Sequence, residues 1–539
     1  MPAKSLPILK NRGICNHKLS DREMPVLIRK LQLDKQTVAF FLAIGLLAVV
    51  GVSVLFYSTP EGLGLNDDSV AYIAGARSIM EGDGYRASWL ISNEPMTHFP
   101  PGFSGTLALI GLVTGLDPVR GARLLNISLY GVNTILMGLL GWRMTRSRPF
   151  GILAALLFLV TDSLLLTHSD ALSEPFYIFF ALLAFLMLHI YFEGERAAWL
   201  VVLGCTLGLA YLVRYAALSL WATLIVVLFL LSATWRKRFF SVAILLASAL
   251  PWAVAWSVRN RIVGGSYTNR VLSWHPITDG DVRYGLRTIS DFLIPIQSWQ
   301  TQILRTPGLI EGIVITLLSG LLIWVAVIGL RWFFKPQQNA QPELISFTNG
   351  LYIFGYLSAL LTTMTLFDVA TRFQVRIVAP LYPSFLLLIV ALASWLWRRS
   401  HVAWKPFIIL MLLLITGLSF SDELQTIKYL HRGGQVYASW RWRKSEAMAF
   451  LRELPPDVMI QTNQPGAVYL YTDRPATIFP TGKKHIRTQK REVRAGNVVF
   501  AFFSNYGEGV ETLKNYQKLT KGLYVRQFDS DEVYTAPPP

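Results

Sequence analysis

Apolar runs of about 17–25 residues recur along this chain, the length a helix needs to cross a roughly 30 Å hydrocarbon core. Short, mostly basic turns separate many of them. A chain built this way cannot fold as a soluble globule. It is 53% hydrophobic and only 15% charged, against about 25% charged in ordinary soluble domains. A membrane β-barrel is excluded as well, because its segments are shorter and alternate. The sequence predicts a polytopic α-helical membrane protein. The net charge of +17 would suggest nucleic acid in a soluble protein. Here the cations gather in turns between apolar runs, which the positive-inside rule explains. Two cysteines, Cys15 and Cys205, lie in a basic segment and an apolar run, so no disulfide is expected between them.

Eleven spans are predicted: 38–57, 124–142, 150–167, 171–192, 197–213, one ending at the basic turn 235–238, then 241–258, 309–334, 345–366, 377–397 and 406–421. Residues 1–37 are rich in Lys and Arg, which places the N-terminus in the cytoplasm. No small-residue cleavage site follows the first run, so it is expected to remain as an anchor. Two long loops, 58–123 and 262–307, then fall on the outer side. Within the first, 103–116 is apolar but short, and is expected to lie in the interface or to re-enter the bilayer. An odd span count puts residues 422–539 outside. That tail alternates a helix signal (445–454) with short β-type runs (458–461, 498–503, 523–528) and a second helix signal (509–519), which predicts a small extracytoplasmic α/β domain. Repeats and low-complexity tracts are absent.

Four groups of residues could carry chemistry. The first is the adjacent pair Asp67 and Asp68, just beyond the first span. Two carboxylates at an interface can divide the tasks of accepting a proton and binding a cation; the bland alternative is a solvated helix cap. The second is Asp170 and Glu174 in the turn before the fourth span. If a helix starts near Asp170, the two share a face one turn apart; otherwise Asp170 or Ser173 caps it, with Pro175 in its first turn. The third is a set of outward arginines, Arg372 and Arg376, with Arg259 and Arg261 at the end of the seventh span. They run against the positive-inside trend. Guanidinium forks suit phosphate oxygens, and snorkelling to headgroups is the other account. The fourth is His98, before the Pro100-Pro101 turn, where the segment either only starts the short apolar stretch or brings His98 to the donor phosphate.

In order and type these motifs resemble the GT-C superfamily of integral-membrane glycosyltransferases, especially the branch of protein mannosyltransferases and aminoarabinose transferases. An acidic pair follows span one, with Gly82-Asp83-Gly84-Tyr85 and Pro100-Pro101 downstream. Arg123-Leu124 enters span two, Ser173-Glu174-Pro175 opens span four, and Arg259-Asn260 closes span seven. Arg372-Phe373 and spaced prolines precede span ten, and Asn463-Gln464-Pro465 lies in the tail. The resemblance implies transfer of a sugar from a polyprenyl-phosphate donor, a substrate rather than a cofactor, to a hydroxyl of a lipid, glycan or protein, usually with inversion. It implies Asp67 as general base, with Asp68 standing where many relatives have Glu. Asp170 or Glu174 would be the second acidic site. Arg372, Arg376, Arg259 and more weakly His98 would bind the donor phosphate. A divalent metal would fall to Asp68, Asp170 and Glu174, although the sequence shows no clear cage. The expected location is a prokaryotic inner membrane. The competing expectations are a transporter or flippase of a lipid-linked sugar, which would carry charges at mid-membrane depth, and a non-catalytic scaffold.

Overall fold

The computed structural model describes residues 34–268, 270–293, 308–335, 341–368, 371–479, 483–504 and 518–537, most of them helical. α1 (Lys35–Ser58) is followed by α2 (Asp67–Glu81) and α3 (Gly102–Thr114), both within the first predicted outer loop. Then come α4 (Pro118–Thr145), α5 (Arg148–Leu159), α6 (Asp162–His168), α7 (Glu174–Gly194), α8 (Ala197–Val213), α9 (Ala217–Leu231) and α10 (Trp235–Gly264). α11 (Asp279–Leu293) sits in the second predicted loop, whose residues 294–307 lie outside the described set. The helical part ends with α12 (Leu309–Phe334), α13 (Gln341–Leu366), the single turn α14 (Val375–Val378), α15 (Tyr382–Arg399) and α16 (Lys405–His431).

Among the described residues, eight helical stretches are long and apolar enough to cross a membrane. They are α1, α4, α7, α10, α12, α13, α14 with α15, and α16. α5 and α6 make a ninth if counted as one bent span. The protein is thus a multi-pass membrane protein. α8 and α9, at 17 and 15 residues, are shorter than the usual 20 or so. The α5–α6 bend of 62° has a local cause. Thr161 is extended and donates its hydroxyl to Leu157 O, while the Asp162 carboxylate accepts from Ser163 N and starts a new helix. What the sequence suggests is one straight run, 150–167, is therefore broken. The last apolar helix also runs ten residues past 421, to His431, since 422–431 continues helical without Gly or Pro to stop it. α16 buries only Glu423 and Leu430 along its length, as expected for a helix whose solvent is lipid.

The short apolar segment of the first loop is α3. Phe103, Leu107, Ala108 and Gly111 are buried, whereas Leu109, Leu112 and Val113 are exposed, so the helix packs one apolar face on the protein and leaves another apolar face for lipid. The tail folds around five strands, β1 (Met459–Thr462), β2 (Ala476–Thr477), β3 (Val498–Phe503), β4 (Tyr524–Phe528) and β5 (Asp531–Thr535), in the order β2-β1-β3-β5-β4. β1 runs parallel to β2 and β3, and β5 antiparallel to β3 and β4. All six residues of β3 are buried, as its apolar run suggests for a central strand. A one-turn helix α17 (Trp440–Arg443) precedes α18 (Glu446–Glu453), which is the helix of the 445–454 signal, and α19 (Pro465–Thr472) and α20 (Lys483–Ala495) follow. Most of the expected 509–519 helix lies outside the described residues.

Membrane and tail portions meet along one seam. Gly64 N donates to Ser169 O at 2.8 Å and Ala171 N to Gly64 O at 2.9 Å, and Tyr437 N donates to Leu65 O at 3.0 Å. The chain after α1 is thus gripped on one side by the α6–α7 turn and on the other by the start of the tail. Gly64 is required there by space. A Cβ would fall 2.1 Å from Asp170 Oδ1 and 2.9 Å from Gln435 Oε1. Gly64→Ala is expected to destabilise the protein by about 1–3 kcal/mol, read as a lowered thermal midpoint. An unchanged midpoint would show that the seam is loose.

Candidate active site

Asp67 and Asp68 begin α2, but neither caps it. Asn66 is the N-cap: its Oδ1 accepts from Ser69 N at 3.1 Å, and Ser69 Oγ accepts from Asn66 N at 3.2 Å. Because this reciprocal box serves the helix end, the aspartates are not used up as caps, and the helix dipole favours their charge. The exposed Asp67 accepts on Oδ1 from the Tyr437 hydroxyl at 2.8 Å. The half-buried Asp68 meets Arg376, with Asp68 Oδ2 2.7 Å from Nη1. Arg376 Nε donates to Gln374 Oε1 at 3.3 Å.

Asp170 and Glu174 do not share a helical face. α7 starts only at Glu174, with Pro175 in its first turn, where the missing N–H costs nothing. Residues 168–170 form a turn held by Asn126 of α4, whose Nδ2 donates to Asp170 O at 2.7 Å and His168 O at 3.2 Å. Ser173 occupies the cap position without a capping bond. The Asp170 carboxyl is pushed up to about 7, by burial first and the Glu174 charge second, against the pull of Arg376. A carboxyl raised in this way stabilises the fold most below its unfolded value, near 4, and that contribution is lost as pH rises through about 7. Asp170→Asn is therefore expected to gain thermal stability relative to wild type between about pH 4 and pH 7, with a constant difference above. A difference flat across that range would place the carboxyl in ordinary solvent.

Glu174 is almost fully buried and paired with Arg214, Oε1 to Nη1 at 2.8 Å. Arg214 Nη1 also donates to Ser173 Oγ at 3.1 Å, and Ser173 Oγ lies 3.1 Å from the Tyr72 hydroxyl on α2. The electrostatic influence of Arg376 reaches Asp170, while Asp68, Glu174 and Arg214 act on Arg376. One cluster therefore gathers Asp67, Asp68, Asp170, Glu174, Arg376 and Arg214.

The other expected phosphate contacts lie elsewhere. The Arg259 guanidinium donates to the carbonyls of Met96 and, at 3.1 Å, Tyr85, and stacks on Trp256 at 5.0 Å. It staples the segment between α2 and α3 to α10. It also lines an apolar cleft of about 480 Å³ with Pro101, Leu212, Pro251, Trp252, Ala255 and Trp256. Arg372 is exposed, and its charge bears on Asp281 of α11. His98 sits edge-on to Phe99 at 4.8 Å. Burial and the Arg270 charge push its pKa down, with Asp368 and Asp68 opposing. At neutral pH it is a weaker cation than a free imidazole.

Asp68, Asp170 and Glu174 do not fit a divalent cation as they stand. Asp68 and Glu174 already answer guanidiniums, and among the described residues no three His, Cys, Asp or Glu side chains converge on one point. Sequence reasoning passed over Arg214, Tyr437 and Gln464. Arg214 carried a usable signal, as an arginine at the predicted outer end of an apolar run, like Arg259. Gln464 stands in the Asn463-Gln464-Pro465 motif, but nothing in the sequence links it to the acidic pair; Tyr437 carries no signal, since its partner Asp67 lies 370 positions away.

Residues 98–260 match the family described as dolichyl-phosphate-mannose-protein mannosyltransferase. No curated protein matches the chain significantly. Among solved structures, the Archaeoglobus fulgidus oligosaccharyltransferase tethered with an acceptor peptide superposes with a TM-score of 0.55 at 13% identity, over 93% of this chain and 74% of that one. ArnT from Cupriavidus metallidurans bound to undecaprenyl phosphate gives 0.54 at 14%, over 92% and 99%. The Archaeoglobus fulgidus AglB complex with an inhibitory peptide and a dolichol-phosphate gives 0.55 at 12%, over 90% and 71%. The chain has the GT-C fold of these membrane glycosyltransferases, and within it residues 98–260 match the protein mannosyltransferase family.

Proposed function

We propose that the protein is a membrane glycosyltransferase that moves a sugar from a polyprenyl-phosphate donor to an acceptor hydroxyl on the extracytoplasmic face, with inversion. The observation that carries this reading is that, at the start of α2, the exposed Asp67 carboxylate stands next in sequence to Asp68, which is paired with Arg376. The acceptor hydroxyl gives its proton to Asp67 as its oxygen attacks the anomeric carbon. The bond from that carbon to the phosphate oxygen breaks, and the phosphate leaves as an anion. Arg376 Nη1 and Nε are engaged by Asp68 and Gln374, which leaves Nη2 to donate to that anion. Asp68 thus aims an arginine, and Asp170, Glu174 and Arg214 set the field behind it. Arg372 and His98 are assigned to the approach of the donor.

The lipid-phosphates in two structural neighbours support the donor class. The apolar cleft beside Arg259 suits a prenyl chain. Counting α8, α9 and the bent α5–α6 pair as spans gives eleven crossings, a cytoplasmic N-terminus and an outer domain from the end of α16 onward, in a plasma membrane protein whose turns obey the positive-inside rule. A flippase is not favoured, since the acids and arginines of the cluster stand at helix ends rather than at mid-membrane depth.

The test uses purified protein in nanodiscs with a panel of radiolabelled polyprenyl-phosphate sugars and membrane extract as acceptor. Transfer from one donor is expected. Donor movement between leaflets without transfer would replace this reading with the flippase.

A further inference from the structure

The tail reaches into the cluster at one point. Tyr437, buried at 4% exposure, has its hydroxyl 2.8 Å from Asp67 Oδ1 and 2.8 Å from Gln464 Oε1. A phenol has one proton and cannot donate to both. A carboxylate is the stronger acceptor, so the proton goes to Asp67. The side-chain amide of Gln464 then turns its NH2 towards the tyrosine oxygen, a rotation that exchanges two nearly isosteric atoms. The result is a directed chain, Gln464 N–H to Tyr437 O–H to Asp67 Oδ1. Among the described residues Asp67 Oδ2 has no such donor.

Both outer members are built in. Tyr471 donates its hydroxyl to Tyr437 O at 2.6 Å, and the Trp442 ring stands 5.7 Å from the Tyr437 ring, edge-on. Gln464 immediately precedes α19, and the next glycine, Gly466, lets that helix end approach α2. A Cβ there would fall 2.9 Å from Val70 Cγ2, 3.1 Å from Tyr437 Cε2 and 3.4 Å from Asp67 Oδ1. Tail and membrane portions are thus shaped to each other at the reacting carboxylate.

We infer that Tyr437 and Gln464 are positioning residues for the transfer reaction: they hold Asp67 by Oδ1 so that Oδ2 faces the acceptor hydroxyl, and the C-terminal domain completes the active site. This rests on the proposed glycosyltransferase function. Only one carboxylate oxygen then takes the proton, and the acceptor's approach direction is set by the tail. Docking of the tail is what fixes the rotamer of the base, because Asp67 is otherwise exposed at a helix end with free side-chain torsion.

The experiment compares wild type, Tyr437→Phe, Gln464→Ala and Asp67→Asn in the nanodisc transfer assay, with thermal midpoints and donor binding measured on the same preparations. Tyr437→Phe keeps the ring packing and removes the donor. It is expected to lower kcat about ten- to a hundredfold, the worth of one hydrogen bond to a charged group, with KM for the donor and the thermal midpoint unchanged. Gln464→Ala is expected to lower kcat less, and the double variant to be no worse than Tyr437→Phe alone, since the two act in series. If wild type transfers and Asp67→Asn does not, but Tyr437→Phe retains full kcat, the inference is overturned and the function stands. If kcat falls only together with the midpoint, the contact is structural and the inference is again overturned. If wild type transfers from no donor, the function itself fails.

Discussion

Asp67→Asn is expected to lower the rate of sugar transfer about 10²–10⁴-fold, the usual worth of a positioned general base, while donor binding survives. Asparagine keeps the shape of the side chain and can still accept from Tyr437 through its amide oxygen, so the 2.8 Å contact and the seam it belongs to are retained. What disappears is the capacity to take the acceptor's proton. The capping box of Asn66 and Ser69 is untouched, so α2 should start at the same residue and the thermal midpoint should stay close to that of wild type. Asp68→Asn tests a different role. It weakens the ion pair that aims Arg376, and the expected effect is weaker donor phosphate binding with a smaller loss of kcat. If Asp67→Asn transferred at the wild-type rate, the base would have to be sought at Asp170, whose half-buried carboxyl is the other proton acceptor of the cluster.

How far such a site can be read from sequence depends on the range of the forces that build it. Helices such as α1 and α10 were legible because burial in lipid demands twenty or so consecutive apolar residues and leaves charge only at the turns. The α5–α6 break was not, because Thr161 and Asp162 are two polar residues inside an apolar run, and their effect rests on local hydrogen bonds that compete with the helix. Asp67, Asp68 and Arg376 stand out in the sequence as charges on the predicted outer side of spans. Their pairing does not, since Asp68 and Arg376 are 308 positions apart. The predicted fourth span begins at 171, three residues before α7; of the two caps the sequence offers, Ser173 with Pro175 in the first turn matches the structure, because Asp170 is drawn into a β-bridge with Gly64. α20 escaped notice for the opposite reason. Its sequence is almost wholly polar, with Ile486 and Val493, seven residues apart, as its buried apolar contacts with the sheet.

Arg214→Ala is expected to have the largest effect on stability, about 3–5 kcal/mol, because it leaves Glu174 as an uncompensated buried charge. Glu174 is 1% exposed, and its Oε2 has no hydrogen-bond partner among the described residues even with Arg214 present. The pair is therefore held mainly by the Oε1 contact at 2.8 Å. Removing the guanidinium also frees Ser173 Oγ, through which Arg214 reaches Tyr72 and the body of α2. It further leaves Asp170 facing the Glu174 charge with one cation fewer in the cluster. The asymmetry of the pair makes the test sharp. Arg214 is partly open to solvent and keeps a hydroxyl acceptor, so Glu174→Gln should cost clearly less than Arg214→Ala, and adding Glu174→Gln to Arg214→Ala should recover part of the loss. Thermal midpoints of the two single variants and the double variant in one detergent measure all three. Equal losses from both single variants, with no recovery in the double, would mean that Glu174 is not ionised in the fold and that the pair contributes packing rather than charge. With the expected order, Glu174 and Arg214 form the fixed electrostatic floor on which Asp68 and Arg376 are aimed. Retained donor binding in Glu174→Gln would then separate that supporting role from direct contact with the phosphate.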